Sequence, residues 1–264
     1  MKRLWLWFSL VLVLSLLLAS CGQNAGGSRL KAIQQAGVIK VGTSADYPPF
    51  EFVDANGNTT GFDVELMNEI GKRLGVKVEW VDMPFDSLIA GVQEGKIDAA
   101  IAAFNYSEDR DKVVDFSDVY YTSEDAFTVV EGSSLTINDP AQDLLSLKLG
   151  VQTGTTQDDW LTALVDEGKL PADNLARYDR VDQIALDLKN GRIDVMMSDA
   201  VPAEALAKQL GGLKVIYKGV LSSGPMNIVL PEGEADLAKA INEILAQLKA
   251  EGFIENLAIK YFAE

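Results

Sequence analysis

Hydrophobic positions along the chain follow two spacings, one typical of amphipathic helices and one typical of buried strands. In residues 63–74, apolar side chains recur every three or four positions and Gly75 follows the last turn, which predicts a helix packed on one face. Short apolar or alternating runs predict strands. The predicted helices are 30–35, 63–74, 85–94, 234–248 and 252–261, and the predicted strands are 38–42, 50–53, 76–81, 99–104, 149–151 and 224–230.

Two segments, 88–103 and 184–199, share one pattern. Each has a helix, a glycine stop at Gly95 or Gly191, a basic residue, an Ile-Asp pair and an apolar strand. Eight residues after each glycine lie Ala103 and Asp199. The pattern is also a generic α/β connection, so it is weak evidence for a duplication and strong evidence that both halves are α/β. It predicts parallel sheets flanked by helices, with a cleft between two units.

The apolar run 99–104 ends in a polar turn, and Arg110 follows where a helix begins. Ligands bind at the carboxyl ends of strands in α/β sheets. An arginine there supplies a permanently charged planar fork that suits a carboxylate. A surface arginine paired with Asp109 or Asp111 is the alternative interpretation.

The N-terminus has the features of an export signal. Two basic residues, Lys2 and Arg3, precede an apolar stretch, 4–18, which is too short for a comfortable membrane span. The sequence Leu-Ala-Ser-Cys at 18–21 resembles the bacterial lipobox, in which the signal is cut before the cysteine and the thiol receives lipid. We therefore predict a signal peptide at 1–20, lipidation of Cys21 and a tether and lead-in at 21–37. An ordinary secretory signal with an incidental cysteine is the alternative.

Composition excludes several functional classes. Without the two basic residues of the signal, 21 lysines and arginines face 39 acidic residues, a net charge of −18, which disfavours binding to nucleic acid. The chain has no histidine, so histidine-based triads and histidine metal ligands are absent. The lack of histidine therefore disfavours a hydrolase. A single cysteine excludes disulfides within the chain.

Seven ordered stretches carry a shared signature: VGTSADYPPFEF at 41–52, TGFDVEL at 60–66, GKID at 95–98, SEDR and VDFS within 107–117, GVQTGTT at 150–156, GRID at 191–194, and 252–262. Together they resemble the extracytoplasmic solute-binding proteins (family 3) of ABC importers for polar amino acids. The resemblance implies a two-lobed α/β fold of the type II periplasmic-binding-protein class. Lobe 1 would comprise 38–119 and 227–264, lobe 2 would comprise 125–221, and 120–124 and 222–226 would be hinges.

The resemblance also implies two charged anchors for a zwitterion. Arg110 would clamp the α-carboxylate with help from Thr156 at a helix N-terminus. Asp199 would accept the α-ammonium, helped by the Ala103 carbonyl and the Asn105 side chain. A helix N-cap is the alternative role for Asp199.

The remaining predicted ligand-binding residues surround the side chain of the ligand. Tyr47 and Phe85 match aromatic positions that sandwich it, although ordinary core packing is the alternative for both. Ser44, Gln152 and Thr153 complete the set. Ser44 stands where binders of basic amino acids often carry an acid, so we expect a polar, uncharged side chain such as that of glutamine.

A lyase of the cyclohexadienyl dehydratase type is the main alternative function, because some relatives of this fold dehydrate cyclic substrates with an acid in the cleft. Asp199 and Asp46 are the acids available for it. A sensor module would continue into signalling domains, which we do not expect here. The expected partners are a free L-amino acid, an ABC permease and ATPase, and, through the lipid, the extracytoplasmic face of a bacterial membrane. We expect a monomer without cofactor, metal ion or catalytic residue.

Overall fold

The structure is a computed structural model that describes residues 28–262. The predicted signal at 1–20, the lipidation site Cys21 and the tether up to residue 27 lie outside the described residues. Within 28–262, no helix is long and apolar enough to span a membrane.

Helices and strands alternate along the described chain. The helices are α1 (Arg29–Ala36), α2 (Phe62–Leu74), α3 (Leu88–Gln93), α4 (Glu108–Asp111), α5 (Pro140–Asp143), α6 (Thr156–Asp166), α7 (Val181–Lys189), α8 (Ala200–Leu210), α9 (Ala235–Ala250) and α10 (Phe253–Phe262), with short 3-10 helices at Phe85–Ser87 and Ala172–Asn174. The strands are β1 (Val38–Thr43), β2 (Asp46–Tyr47), β3 (Glu51–Val53), β4 (Thr59–Thr60), β5 (Lys77–Asp82), β6 (Ala99–Ala100), β7 (Asp115–Phe116), β8 (Tyr121–Thr122), β9 (Asp125–Val130), β10 (Leu149–Gln152), β11 (Leu175–Tyr178), β12 (Val195–Asp199), β13 (Leu213–Gly219), β14 (Pro225–Met226) and β15 (Val229–Leu230).

Two five-stranded sheets form the centres of two lobes in the described chain. The sheet of lobe 1 has the order β5-β1-β6-β15-β7, and the sheet of lobe 2 has the order β11-β10-β12-β9-β13. The two-lobed α/β fold is as predicted. The sheets are rich in parallel pairs but not wholly parallel, because β15 and β9 run antiparallel to β6 and β12. These two strands follow the segments on which the chain crosses between the lobes, so they enter each sheet from the opposite direction.

Two predicted elements are shorter than the apolar runs that suggested them. The run 99–104 contains only β6, because the backbone turns at its end and Ala103 has a positive φ of 48°. The run 224–230 is divided into β14 and β15. Hydrophobicity continues through both turns because the turns are buried, which is why the pattern alone overestimated the strands.

The two lobes repeat the same internal contacts. A Cβ atom on Gly42 would lie 2.4 Å from Ile97 Cδ1, and one on Gly150 would lie 2.4 Å from Ile193 Cδ1. The Lys40 and Lys148 N–H groups each donate to an aspartate at 2.8 Å. The equivalent pairs are Lys40 and Lys148, Gly42 and Gly150, Leu88 and Ile184, Ile97 and Ile193, and Asp98 and Asp194. The sequence repeat is therefore also a repeat in three dimensions.

The chain crosses between the lobes through β8 and β14, which pair antiparallel. Buried Asp125, at the start of β9, accepts hydrogen bonds from the backbone N–H groups of Leu221, Ser222 and Ser223 and from both serine hydroxyls. One carboxylate thus fixes the return crossing to the outward one, and both crossings lie beside the space between the sheets.

Candidate functional site

A narrow cavity lies between the two lobes, at the carboxyl ends of the parallel strands. Nine of the ten predicted ligand-binding residues line it. The lining residues are Ser44, Tyr47, Glu51, Phe85, Ala102, Ala103, Asn105, Arg110, Gln152, Thr155, Thr156, Gln157 and Asp199. Thr153 is the exception, because its hydroxyl and its N–H both donate to the Tyr178 carbonyl beside it.

Arg110 projects into the cavity from α4 and is 7% exposed. Its Nη1 donates to the Asn105 carbonyl at 2.6 Å, and its Nη2 donates to the Gly154 carbonyl of lobe 2 at 2.8 Å. The guanidinium carbon lies 5.5 Å from the ring centre of Phe85 and 5.3 Å from that of Phe104, distances at which cation–π attraction operates. Burial lowers the pKa of Arg110 to about 10, so the side chain is cationic at neutral pH.

Asp199 approaches the cavity from lobe 2, at the junction of β12 and α8. Its carboxylate does not cap α8; Oδ2 accepts a 2.6 Å hydrogen bond from the Tyr47 hydroxyl, and the Asp199 N–H donates to the same hydroxyl at 2.8 Å. Burial raises the pKa of Asp199, and the hydrogen bond from Tyr47 opposes this. Tyr47 therefore joins the lobes through its hydroxyl, while its ring stacks on Phe50.

The turn after β6 supplies two further wall residues. Ala103 has a left-handed backbone, which is strained for a residue with a Cβ, and its N–H donates to buried Asp63 at 2.8 Å. Asn105 is held by the Gly224 N–H, which donates to its side-chain oxygen at 2.9 Å. Its amide nitrogen lies 3.5 Å from Asp199, which is at the limit of a hydrogen bond.

An ion-pair network, here called the interlobe latch, connects Ser44, Asp46 and Asp82 of lobe 1 with Arg180 and Val181 of lobe 2. Arg180 makes two hydrogen bonds to the Asp82 carboxylate, of 2.9 and 3.1 Å. The Val181 N–H, at the start of α7, donates to Asp46 at 2.5 Å. Ser44 donates to Asp46 at 2.7 Å. Burial raises the pKa of Asp46, and these donors oppose the rise.

Gly154 lets the lobes approach each other. Its φ is 76°, and a Cβ atom there would lie 3.1 Å from the Asp86 Cβ atom and 3.3 Å from the Asp86 Cα atom of lobe 1. Next to it, α6 begins at Thr156, and the Thr155 hydroxyl caps it by accepting the Asp158 N–H at 3.1 Å. The N-terminus of this helix therefore faces the cavity, where its partial positive charge favours an anion.

Sequence reasoning missed four lining residues: Glu51, Ala102, Thr155 and Gln157. Glu51 matters most, because it is an acid that is only 1% exposed. Burial, followed by the nearby Asp63 and Asp46, raises the pKa of Glu51 well above its ordinary range. The signal that could have revealed it is its position in the stretch Pro-Pro-Phe-Glu-Phe, where an acid interrupts an apolar segment.

Comparison with known proteins gives the family. Residues 39–264 match the bacterial extracellular solute-binding proteins, family 3. The chain belongs to this family. The L-arginine-binding protein of Pseudomonas aeruginosa is 31% identical over 237 residues, which are 85% of this chain and 88% of that protein. The histidine-binding periplasmic protein of Escherichia coli K12 is 32% identical over 262 residues, or 96% of each chain.

Solved structures of amino-acid-binding proteins have the same fold as this family member. A mutant of ArgBP from T. maritima has a TM-score of 0.82 and 37% identity, covering 89% of this chain and all of that one. An ancestral arginine-binding protein bound to glutamine has a TM-score of 0.78 and 37% identity, covering 86% and 99%. An ancestral amino-acid-binding protein described as a precursor of cyclohexadienyl dehydratase has a TM-score of 0.80 and 32% identity, covering 89% and 100%. The chain is thus an extracytoplasmic solute-binding protein.

Proposed function

We propose that this solute-binding protein captures one free amino acid between its lobes. The observation that carries the proposal is that a buried arginine of lobe 1 and a buried aspartate of lobe 2 line the same cavity. A zwitterion needs one cationic and one anionic anchor within a few ångströms of each other. Arg110, with the N-terminus of α6, suits the α-carboxylate, and Asp199, with the Ala103 carbonyl and the Asn105 side chain, suits the α-ammonium.

For the side chain of the ligand we propose a cation, with arginine as the first candidate. The expectation of an uncharged side chain rested on Ser44, whereas Glu51 brings an acid into the cavity from β3. Within 28–262, no lysine or arginine pairs with Glu51. A cationic side chain would supply that missing partner. A glutamine-like amide remains the second candidate, because a protonated Glu51 can donate a hydrogen bond to an amide oxygen.

Binding is proposed to close the lobes about hinges at 120–124 and 222–226, with lobe 1 comprising 38–119 and 227–264 and lobe 2 comprising 125–221. The interlobe latch and the Tyr47–Asp199 hydrogen bonds join the lobes directly, so they support the closed state. We further propose that the protein is a monomeric lipoprotein anchored through Cys21, and that it delivers its ligand to an ABC permease and ATPase.

Isothermal titration calorimetry of the purified protein with arginine, lysine, glutamine and glutamate tests the proposal. We expect one site per chain, with the tightest binding for arginine and no detectable binding of glutamate, whose side-chain carboxylate would meet Glu51. Tighter binding of glutamine than of arginine would reject the cationic ligand. Failure of all amino acids to bind would reject the function itself.

A lyase remains a second candidate because Glu51 is a buried acid in the cavity and one structural neighbour is described as a precursor of cyclohexadienyl dehydratase. The test is chemical. Bound amino acid recovered from the denatured complex should have an unchanged mass, and a cyclic hydroxy acid incubated with the protein should not lose water. Dehydration at a rate proportional to protein concentration would establish the lyase.

A further inference from the structure

Two carboxyl groups are buried at the cavity wall without a basic partner. Glu51 lines the cavity, and Asp63 of α2 is fully buried. Glu51 Oε2 and Asp63 Oδ1 are both buried and have no hydrogen-bond partner. The charge of Asp63 raises the pKa of Glu51 further. Two ionised carboxylates buried beside each other without a cation would repel each other strongly, so one of them keeps its proton.

The surroundings indicate which carboxyl carries the proton. Asp63 Oδ2 accepts the Ala103 N–H at 2.8 Å and the Tyr120 hydroxyl at 2.9 Å, and both donors favour ionised Asp63. Burial raises the pKa of Asp63 to about 7, with these donors opposing the rise. Glu51 has no such donors and its pKa lies well above the ordinary range. The proton therefore resides on Glu51.

The other charged and titratable groups around the pair leave it without a counter-cation. Asp46 and Tyr47 lie on β2, Tyr120 precedes β8, and Asp199 begins α8. The coulombic effects of Asp46 and Asp199 also raise the pKa of Glu51. Arg110, across the cavity, donates to backbone carbonyls. The pair thus keeps its proton because its surroundings offer no positive charge to replace it.

We propose that Glu51, buried at the cavity wall beside Asp63, holds a proton that the cationic side chain of the bound amino acid displaces, so that capture of the ligand is coupled to proton release. This rests on the proposed function. An opposite charge within about 4–6 Å lowers a carboxyl pKa by roughly 1–3. The ligand cation then balances the negative charge of the Glu51 carboxylate in place of the proton, and the proton passes to the solvent. A neutral side chain leaves the proton in place.

Asp63 acts in this scheme as a positioning residue. Its Oδ2 accepts the Ala103 N–H and the hydroxyl of Tyr120, which lies at the edge of the proposed hinge. Asp63 therefore contacts the turn next to the proposed ammonium site and the crossing between the lobes. Loss of the Glu51 proton on binding would place a second negative charge near Asp63 and so act on both of these contacts.

Calorimetry with arginine and its neutral isostere citrulline, in pairs of buffers with different ionisation enthalpies, tests the inference. At pH 8, above the pKa of Asp63, we expect arginine to release close to one proton per chain and citrulline to release none. Affinity for arginine should fall by about tenfold per pH unit on acidification below the pKa of the pair, while affinity for citrulline stays constant. Arginine binding without proton release between pH 5 and 8 would overturn the coupling but leave the proposed function intact. If no amino acid binds at all, the proposed function itself is refuted.

Two variants separate the pair from other titrating groups. In Glu51→Gln the carboxyl proton is gone, so any residual arginine binding should release no proton and lose its pH dependence. Asp63→Asn should also reduce proton release, provided that circular dichroism shows a native fold. Retention of full proton release in folded Glu51→Gln would show that another group supplies the proton and would reject the assignment.

Discussion

Replacement of Arg110 tests the anchor for the α-carboxylate. Arg110→Met keeps an unbranched side chain beside the stacked rings of Phe85 and Phe104 but removes the charge and the fork. Arg110→Lys keeps the charge but cannot make two parallel hydrogen bonds. In the wild-type protein, one donor on each terminal nitrogen is used by the Asn105 and Gly154 carbonyls. Further N–H groups remain for a carboxylate.

The expected loss follows from these donors. Each hydrogen bond to a charged group contributes about 1.5–3 kcal/mol, so two of them give roughly 3–6 kcal/mol, or a weakening of about 10² to 10⁴ in affinity. The methionine also leaves two backbone carbonyls without a donor, one of them in lobe 2, so closure becomes less favourable. Arg110→Lys should have an affinity between those of the wild type and Arg110→Met, weakened by roughly 10- to 100-fold.

Titration calorimetry with the tightest-binding amino acid measures this loss, and circular dichroism checks that each variant folds. Arg192→Met is the matched control. It removes an arginine whose side chain is 69% exposed and pairs with Asp187 far from the cavity lining, so affinity should be unchanged. The reasoning fails if folded Arg110→Met binds within threefold of the wild type.

Three further substitutions test the other anchor, the latch and the repeat. Asp199→Asn removes the partner of the α-ammonium and should weaken binding by about 2–5 kcal/mol in calorimetry; unchanged affinity would place the ammonium elsewhere. Arg180→Gln breaks the ion pair with Asp82, so small-angle scattering should show a larger radius of gyration for the unliganded protein. Affinity for the ligand should fall by about two- to fivefold, in keeping with a partly exposed ion pair. Scattering identical to that of the wild type would show that the latch does not hold the lobes together. Gly150→Ala places a Cβ atom 2.4 Å from Ile193 Cδ1 and 2.7 Å from Ile184 Cγ2 and should cost about 1–3 kcal/mol in urea unfolding. Ile193→Val, which lacks Cδ1, should restore only part of this stability because the Ile184 contact remains; full additivity of the two changes would contradict the Ile193 contact.

The residues of the candidate site could be predicted where a charged side chain stands at the end of an apolar run in the sequence. Arg110 follows the end of an apolar run and Asp199 ends another, so each marks the carboxyl end of a strand. Glu51 was not found, because glutamate is usually exposed and only the folded structure buries it in the cavity wall near Asp63, which belongs to another element. Thr153 was predicted but lies outside the cavity lining, since its side chain is used by the Tyr178 carbonyl.

The sequence by itself determined the alternation of helices and strands, the repeat of two α/β units and the placement of Arg110 and Asp199 near the ends of apolar runs, because periodicity, glycine stops and residue chemistry are local properties. The tertiary structure decided the strand directions at β9 and β15, the latch around Asp46 and Arg180, and the burial of Glu51 and Asp63. Each of these depends on which segments meet and on how much water remains between them. Those quantities arise only when the lobes have folded and closed against each other.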